Sequence, residues 1–260
     1  MKTISRYFIL FFVLVLLGCV GSASAQSKST SNVIGPENVS FPSGSETAHG
    51  VLYRPQGTGA FPAIVIIHEW WGLNDWVKQQ AQMFAEHGYV TLAVDLYRGQ
   101  VATDAEMAHE LMRALPQDRG VGYLRSGVAY LKTLKYVKAN RIGAAGWCMG
   151  GSFAMQFAVA EPALKAVAIN YGAPESDPAQ LKKIHAAILG NFGAQDRGIT
   201  PKDVADFAAA MKAIGHPVDV KEYPDAGHAF QNPNNKAGYR PEDTADADSR
   251  MFAFFAKYLK

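Results

Sequence analysis

Two kinds of apolar run alternate along the chain, and the alternation sets the expected architecture. Ala63-Ile64-Val65-Ile66-Ile67 is continuous, mostly β-branched and bounded by Pro62 and His68, which suits a strand covered on both faces. Residues 74–87 place Val77, Ala81, Phe84 and Ala85 at helical spacing and stop at Gly88, so they predict a helix with its end signal. Further strands are predicted over 89–94, 141–147, 164–171, 186–192 and 217–223. Helices are predicted over 103–115, 121–136 and 151–160 and after Thr200-Pro201, and Met251, Phe254, Phe255 and Tyr258 share one face of a terminal helix. Ahead of these, short β-like runs at 38–41 and 48–53 flank Pro42-Ser43-Gly44-Ser45, the signature of an antiparallel hairpin. Strands alternating with helices predict an α/β fold: one domain over 37–260 with a mostly parallel central sheet and helices on both faces.

The N-terminus follows another pattern. Lys2 and Arg6 precede an apolar run from Tyr7 to Gly18 that is too short to favour a membrane span, and Ala23-Ser24-Ala25 closes it. This layout predicts a secretory signal peptide over 1–25, followed by a flexible tether over 26–36. The alternative is a lipoprotein signal over 1–18, because Leu16-Leu17-Gly18-Cys19 resembles a lipobox, although Leu17 is bulkier than the small residue such a box favours. Both readings predict export, to the periplasm, with membrane attachment only if Cys19 is lipidated.

Composition narrows the partners. At 260 residues, with 48% hydrophobic and 18% charged side chains, the chain can bury one large core. Removing Lys2 and Arg6 with residues 1–25 leaves 23 basic side chains against 23 acidic ones, and no dense basic run points to nucleic acid. Cleavage after Ala25 would leave Cys148 as the only cysteine, an unpaired thiol in an oxidising compartment. Such a thiol is a liability unless it is buried or used.

Cys148 sits in Gly146-Trp147-Cys148-Met149-Gly150-Gly151, between a predicted strand and a predicted helix, where a nucleophile elbow would stand. Other chemically capable residues also follow predicted strands: His68 and Glu69, Asp95 and Tyr97, Asp196 in Gly193-Ala194-Gln195-Asp196, and His228 in Gly227-His228-Ala229-Phe230. In parallel sheets, sites gather at these strand ends. The order nucleophile, acid, histidine is that of α/β-hydrolases. An ordinary thiol is only a few per cent ionised at neutral pH, so a neighbouring imidazole would be needed to activate it. Oxyanion charge would be met by the backbone N–H groups of Trp70 and Met149. Each residue also has a plainer reading: Cys148 as a core thiol, His228 as a satisfied histidine, Asp196 as a turn former, Glu69 as a strand-end carboxylate. Trp71, Tyr97 and Phe230 are expected to line the substrate pocket. No metal-ligand spacing or phosphate loop is present, so no cofactor or metal is expected.

These segments, together with His68-Glu69-Trp70-Trp71-Gly72-Leu73-Asn74 and Asp95-Leu96-Tyr97, resemble the dienelactone hydrolase family, a cysteine branch of the α/β-hydrolase fold, over nearly all of the chain after the leader. The resemblance implies Cys148 as nucleophile, His228 as base, Asp196 as its orienting acid, and Glu69 in contact with the resting thiol, shielding it from oxidation. The implied activity is hydrolysis of a small ester or lactone through an acyl-enzyme, by a monomer. The alternatives are a non-catalytic binding protein or a redox-responsive thiol protein on the same fold. One departure stands out. Family members use an arginine shortly after the catalytic histidine to hold a substrate carboxylate, and here that stretch reads Gln231-Asn232-Pro233-Asn234-Asn235, leaving Arg98 and Arg240 as candidate substitutes.

Overall fold

A computed structural model describes residues 32–216 and 218–260, so the expected signal peptide and the first part of the tether lie outside the described residues. The chain runs β1 (Val33–Ser43), β2 (Glu46–Pro55), β3 (Phe61–Ile67), α1 (Asp75–Glu86), β4 (Val90–Asp95), α2 (Ala105–Arg113) and α3 (Gln117–Thr133). It continues β5 (Val137–Trp147), α4 (Met149–Ala160), β6 (Ala166–Asn170), α5 (Pro178–Leu181), β7 (Ala187–Gly193), α6 (Pro201–Ala213), β8 (Val218–Tyr223) and α7 (Pro241–Leu259).

Among the described residues the strands form one eight-stranded sheet in the order β1-β2-β4-β3-β5-β6-β7-β8. β1 and β2 join it antiparallel, as the Pro42–Ser45 hairpin predicted, and the strands from β4 to β8 pair in parallel. After β3 the chain steps to β4 on one side and then returns to β5 on the other. This reversal opens a crevice at the carboxyl ends of β3 and β5. Glu69 and Cys148 follow those two ends.

β3 shows why a continuous apolar run suits this position. Ala63, Val65 and Ile67 face a core built with Leu124 and Val128 of α3, Phe153 and Phe157 of α4 and Phe207 of α6. Ile64 and Ile66 face the opposite core, with Val77 and Phe84 of α1 and Met251 and Phe255 of α7. Helices therefore cover both faces, as expected.

Several boundaries differ from the sequence reading, among them the start of β5 at Val137, four residues ahead of the expected 141, and three differences have a clear local reason. β1 begins at Val33, inside the span expected to be a tether: Val33 is buried and pairs with Pro55, and Ile34 pairs with Arg54 before a register shift. An edge strand with most of its first six residues exposed carries no apolar signal to predict it. α3 starts at Gln117, right after Pro116 and ahead of the expected 121, and its polar first turn is invisible to a hydrophobic period. The four residues of α5, capped by the Asp177 side chain on the Ala179 N–H, are too short to show a period at all.

Candidate active site

β5 ends at Trp147, α4 begins at Met149, and Cys148 is the single residue between them, at φ 54° and ψ −120°. A side chain at positive φ costs of order 1–3 kcal/mol, so this conformation persists only where the surroundings enforce it. Here they do. A Cβ on Gly146 would lie 2.0 Å from the Gly150 carbonyl oxygen, and one on Gly150 would lie 2.3 Å from that of Ile67. The two glycines thus let strand, turn and helix close onto β3, and the Cys148 N–H donates to the Asn170 carbonyl at 3.0 Å. The thiol is thereby held at the start of α4, the positive end of the helix.

The loops after β7 and β8 are joined to each other, which brings their side chains together. Ala194 N–H donates to Tyr223 O at 2.9 Å and Gln195 N–H to Ala226 O at 2.8 Å. A Cβ on Gly193 would meet Ala226 O at 2.5 Å, so glycine is what permits this approach. Asp196, itself buried, accepts from the Gly198 and Ile199 N–H groups through Oδ1, at 2.8 and 3.1 Å. Its Oδ2 lies 2.6 Å from His228 Nδ1, and His228 Nε2 lies 3.0 Å from Cys148 Sγ. Burial disfavours the His228 cation, but the bonds to Asp196 and Cys148 outweigh it and push the imidazole up to about 10. Burial likewise opposes the Asp196 carboxylate; the bond and charge of His228, together with the Ile199 and Gly198 N–H groups, outweigh it and hold the carboxyl below its usual range. Cys148, Asp196 and His228 are therefore brought into one hydrogen-bonded line, as the sequence reading required.

Glu69 departs from that reading. Its Oε2 accepts from Asn232 Nδ2 at 2.6 Å and its Oε1 from Tyr171 Oη at 3.2 Å, while the hydrogen-bond partner of the thiol is His228. The carboxyl is thus tied to the cavity floor beside the thiol rather than to it. Its neighbour His68 is wholly buried and, with burial lowering its pKa, neutral: Nε2 accepts from Leu96 N–H at 3.1 Å, which leaves Nδ1–H to donate to Glu69 O at 2.6 Å. His68 thereby fixes the loop that presents Glu69 and Trp70.

Burial pushes Glu69 up to about 7, against the hydrogen bonds from Asn232 and Tyr171 and the charge of His228. A carboxyl raised in the folded state favours folding fully below its unfolded value of about 4.5, and this contribution is lost as the pH rises through about 7, roughly 3 kcal/mol in all. Glu69→Gln is expected to flatten the decline of stability across that window, measured by urea unfolding from pH 4.5 to 8. Asp248, pushed up to about 6 by burial, and His228, pushed up to about 10, have the same sign and supply the residual slope.

Beneath the elbow runs a chain of buried amides that sequence reading missed. Trp147 Nε1–H donates to Gln231 Oε1 at 2.6 Å, and Gln231 Nε2 to Asn170 Oδ1 at 3.2 Å. Asn170 also accepts from Asn191 Nδ2 at 2.9 Å and donates to Gly146 O at 3.1 Å. Asn191 Oδ1 in turn accepts from Arg250 Nε of α7 at 3.2 Å. Asn170 ends one otherwise apolar strand and Asn191 interrupts another, the one sequence signal that could have found them.

Above Cys148 opens a cavity of about 690 Å³, with Trp70, Trp71, Met112, Met149 and Ile199 among its walls. Trp71 lines it as expected. Tyr97 and Phe230 do not. Tyr97 is buried behind Met149, donating its hydroxyl to Met149 Sδ at 3.1 Å and packing edge-on against His68. Phe230 is wholly buried between Tyr171 and Tyr223. Both lie one layer behind the wall. Tyr171, unforeseen, takes the wall position, with its ring edge-on to His228. The two candidate arginines are engaged elsewhere: Arg98 with Glu46 and the Tyr123 hydroxyl, and Arg240 with the carbonyls of Asp225, Ala237 and Tyr239. Among the described residues no group of three or more His, Cys, Asp or Glu side chains is placed to hold a metal ion.

Known proteins resemble this chain over most of its length. The model of the dienelactone hydrolase family matches residues 48–259. The chain is 30% identical over 228 residues to Protein usf of Aquifex pyrophilus, covering 85% of this chain and 98% of that one. It is 28% identical over 229 residues to a protein of Aquifex aeolicus named as a candidate carboxymethylenebutenolidase, again over 85% and 98% of the two chains. Among solved structures, that of a candidate dienelactone hydrolase from Klebsiella pneumoniae superposes with a TM-score of 0.80 at 26% identity, covering 87% of this chain and 99% of the other. With a family match over most of the chain, and with relatives that span almost their full length, the chain belongs to the dienelactone hydrolase family, hydrolases on the α/β-hydrolase fold.

Proposed function

We propose that this hydrolase cleaves a small ester or lactone through a thioester on Cys148. The observation that supports this best is the unbroken line from Cys148 Sγ through His228 to Asp196, with spacings of 3.0 and 2.6 Å, opening on a cavity. The Cys148 thiolate, paired with the His228 imidazolium, attacks the substrate carbonyl carbon and forms a C–S bond. The negative charge that develops on the carbonyl oxygen meets the N–H groups of Trp70 and Met149. Met149 opens α4, where no preceding turn supplies an acceptor for its N–H. His228 Nε2–H passes its proton to the leaving oxygen as the C–O bond breaks. Water then attacks the thioester, gives a proton to His228, and releases the acid with Sγ leaving as thiolate. Asp196 keeps Nδ1–H oriented and stabilises the imidazolium throughout. The His228 side chain is 41% exposed, so water can reach it for the second half.

Intact-mass spectrometry after brief exposure to an activated ester is expected to show an acyl-sized adduct, mapped to Cys148. A gain of one oxygen in its place would support a redox role instead. Export is part of the same proposal, supported by the leader-like pattern of residues 1–25. Expression in a bacterial host with the full leader is expected to yield a protein beginning at Gln26, readable from its intact mass; a diacylated Cys19 would establish the lipoprotein alternative.

A further inference from the structure

We infer that the Cys148 cavity selects uncharged esters with an apolar or aromatic acyl group and rejects those carrying a second, free carboxylate. The inference rests on the hydrolase reading for its chemistry and on the cavity walls for its selectivity.

A carboxylate leaving water needs a cation or several hydrogen-bond donors to replace its hydration. Among the described residues that line the cavity there is no lysine or arginine. Arg113 and Lys236, chain neighbours of wall residues, and Arg197, two positions from Ile199, are exposed and do not line it. His228 is the wall's remaining cationic group, and its two ring nitrogens are taken by Asp196 and Cys148. The carboxyl on the floor, ionised above about pH 7, has the wrong sign: Glu69 is 1% exposed, and its hydrogen-bond donors, Asn232 and Tyr171, are both neutral. With an effective dielectric of about 20, two like charges roughly 6 Å apart disfavour one another by about 100-fold.

The remaining wall suits an apolar group. Trp70 and Trp71 stand with ring centroids 4.8 Å apart, tilted by 57°, and His109 braces Trp70 edge-on at 4.7 Å. Met112, Met149 and Ile199 complete an apolar surface in a volume that takes a substituted aromatic ring.

The test is a matched pair of esters, 4-nitrophenyl 4-methylbenzoate and mono-4-nitrophenyl terephthalate, which differ by a methyl group against a carboxylate. At pH 7.5 the methyl ester is expected to show a kcat/KM about 100-fold higher. The unreactive ketones 4-methylacetophenone and 4-acetylbenzoate give the same comparison as Kd by calorimetry. Equal or better values for the carboxylate members in either assay would overturn the inference. Discrimination in Kd with neither ester hydrolysed would uphold the selectivity while removing the hydrolase reading. In M112R, which puts a cation at the cavity wall, the kcat/KM ratio is expected to narrow at least tenfold; an unchanged ratio in a folded M112R protein would place the origin of selectivity elsewhere and overturn the electrostatic argument.

Discussion

Cys148→Ala is expected to lower kcat/KM toward activated esters by about 10⁴-fold or more while leaving the protein folded. The size follows from the proposed chemistry: without Sγ there is no thioester, and the residual rate is what the oxyanion donors and binding give a water molecule. The fold should tolerate the change because the elbow is enforced by backbone contacts, Gly146 against Gly150 and Gly150 against Ile67, and by the Cys148 N–H on Asn170 O, none of which needs the sulfur. Alanine meets the same positive φ as cysteine, so the backbone cost is unchanged. Urea unfolding should shift by less than about 1 kcal/mol. Turnover within tenfold of the parent, in a protein shown to be folded, would remove Cys148 from the chemistry.

Asp196→Asn should cost about 10³–10⁴ in kcat, and it should also change the shape of the pH profile. Burial alone would drive the His228 proton off; the hydrogen bond to Asp196 is the largest influence holding it on, with Cys148 next, and together they push the group up to about 10. The parent enzyme should therefore keep its general acid, and its alkaline activity, to about pH 10. The raised group loses its proton as pH climbs through its folded value, so weakening the Asp196 contact must move the alkaline limb toward neutral pH. A kcat/KM profile from pH 6 to 10.5 separates this from simple misfolding, which would lower the whole curve without displacing the limb.

Much of this was legible before any coordinates. The β3 run, apolar on both faces, announced a central strand, and the glycines around Cys148 announced a turn too tight for side chains. Chain order placed Asp196 and His228 after strands, and parallel pairing brought those strand ends to one edge. What stayed hidden depends on direction and partner choice. Tyr97 and Tyr171 both follow strands, yet one turns under Met149 and the other into the cavity, a difference of backbone path that residue type does not encode. Glu69 was expected at the thiol, but Asn232 offers it a donor across 163 residues of chain, and no local pattern foretells such a pairing. β1 extends beyond its apolar run because an edge strand is held by hydrogen bonds more than by apolar side chains.

The buried amide chain that ends at Arg250 has a bearing on how the protein is born. Asn170, which holds both Gly146 O and the Gln231 side chain, also turns an N–H toward Met251 Sδ of α7, while Arg250 of the same helix steadies Asn191. The setting of the thiol is therefore completed by residues synthesised about 100 positions after it. During translation Cys148 leaves the ribosome well before His228 and α7, the segments that flank it in the fold. The surroundings of the thiol are therefore complete only once the last helix is in place against the sheet.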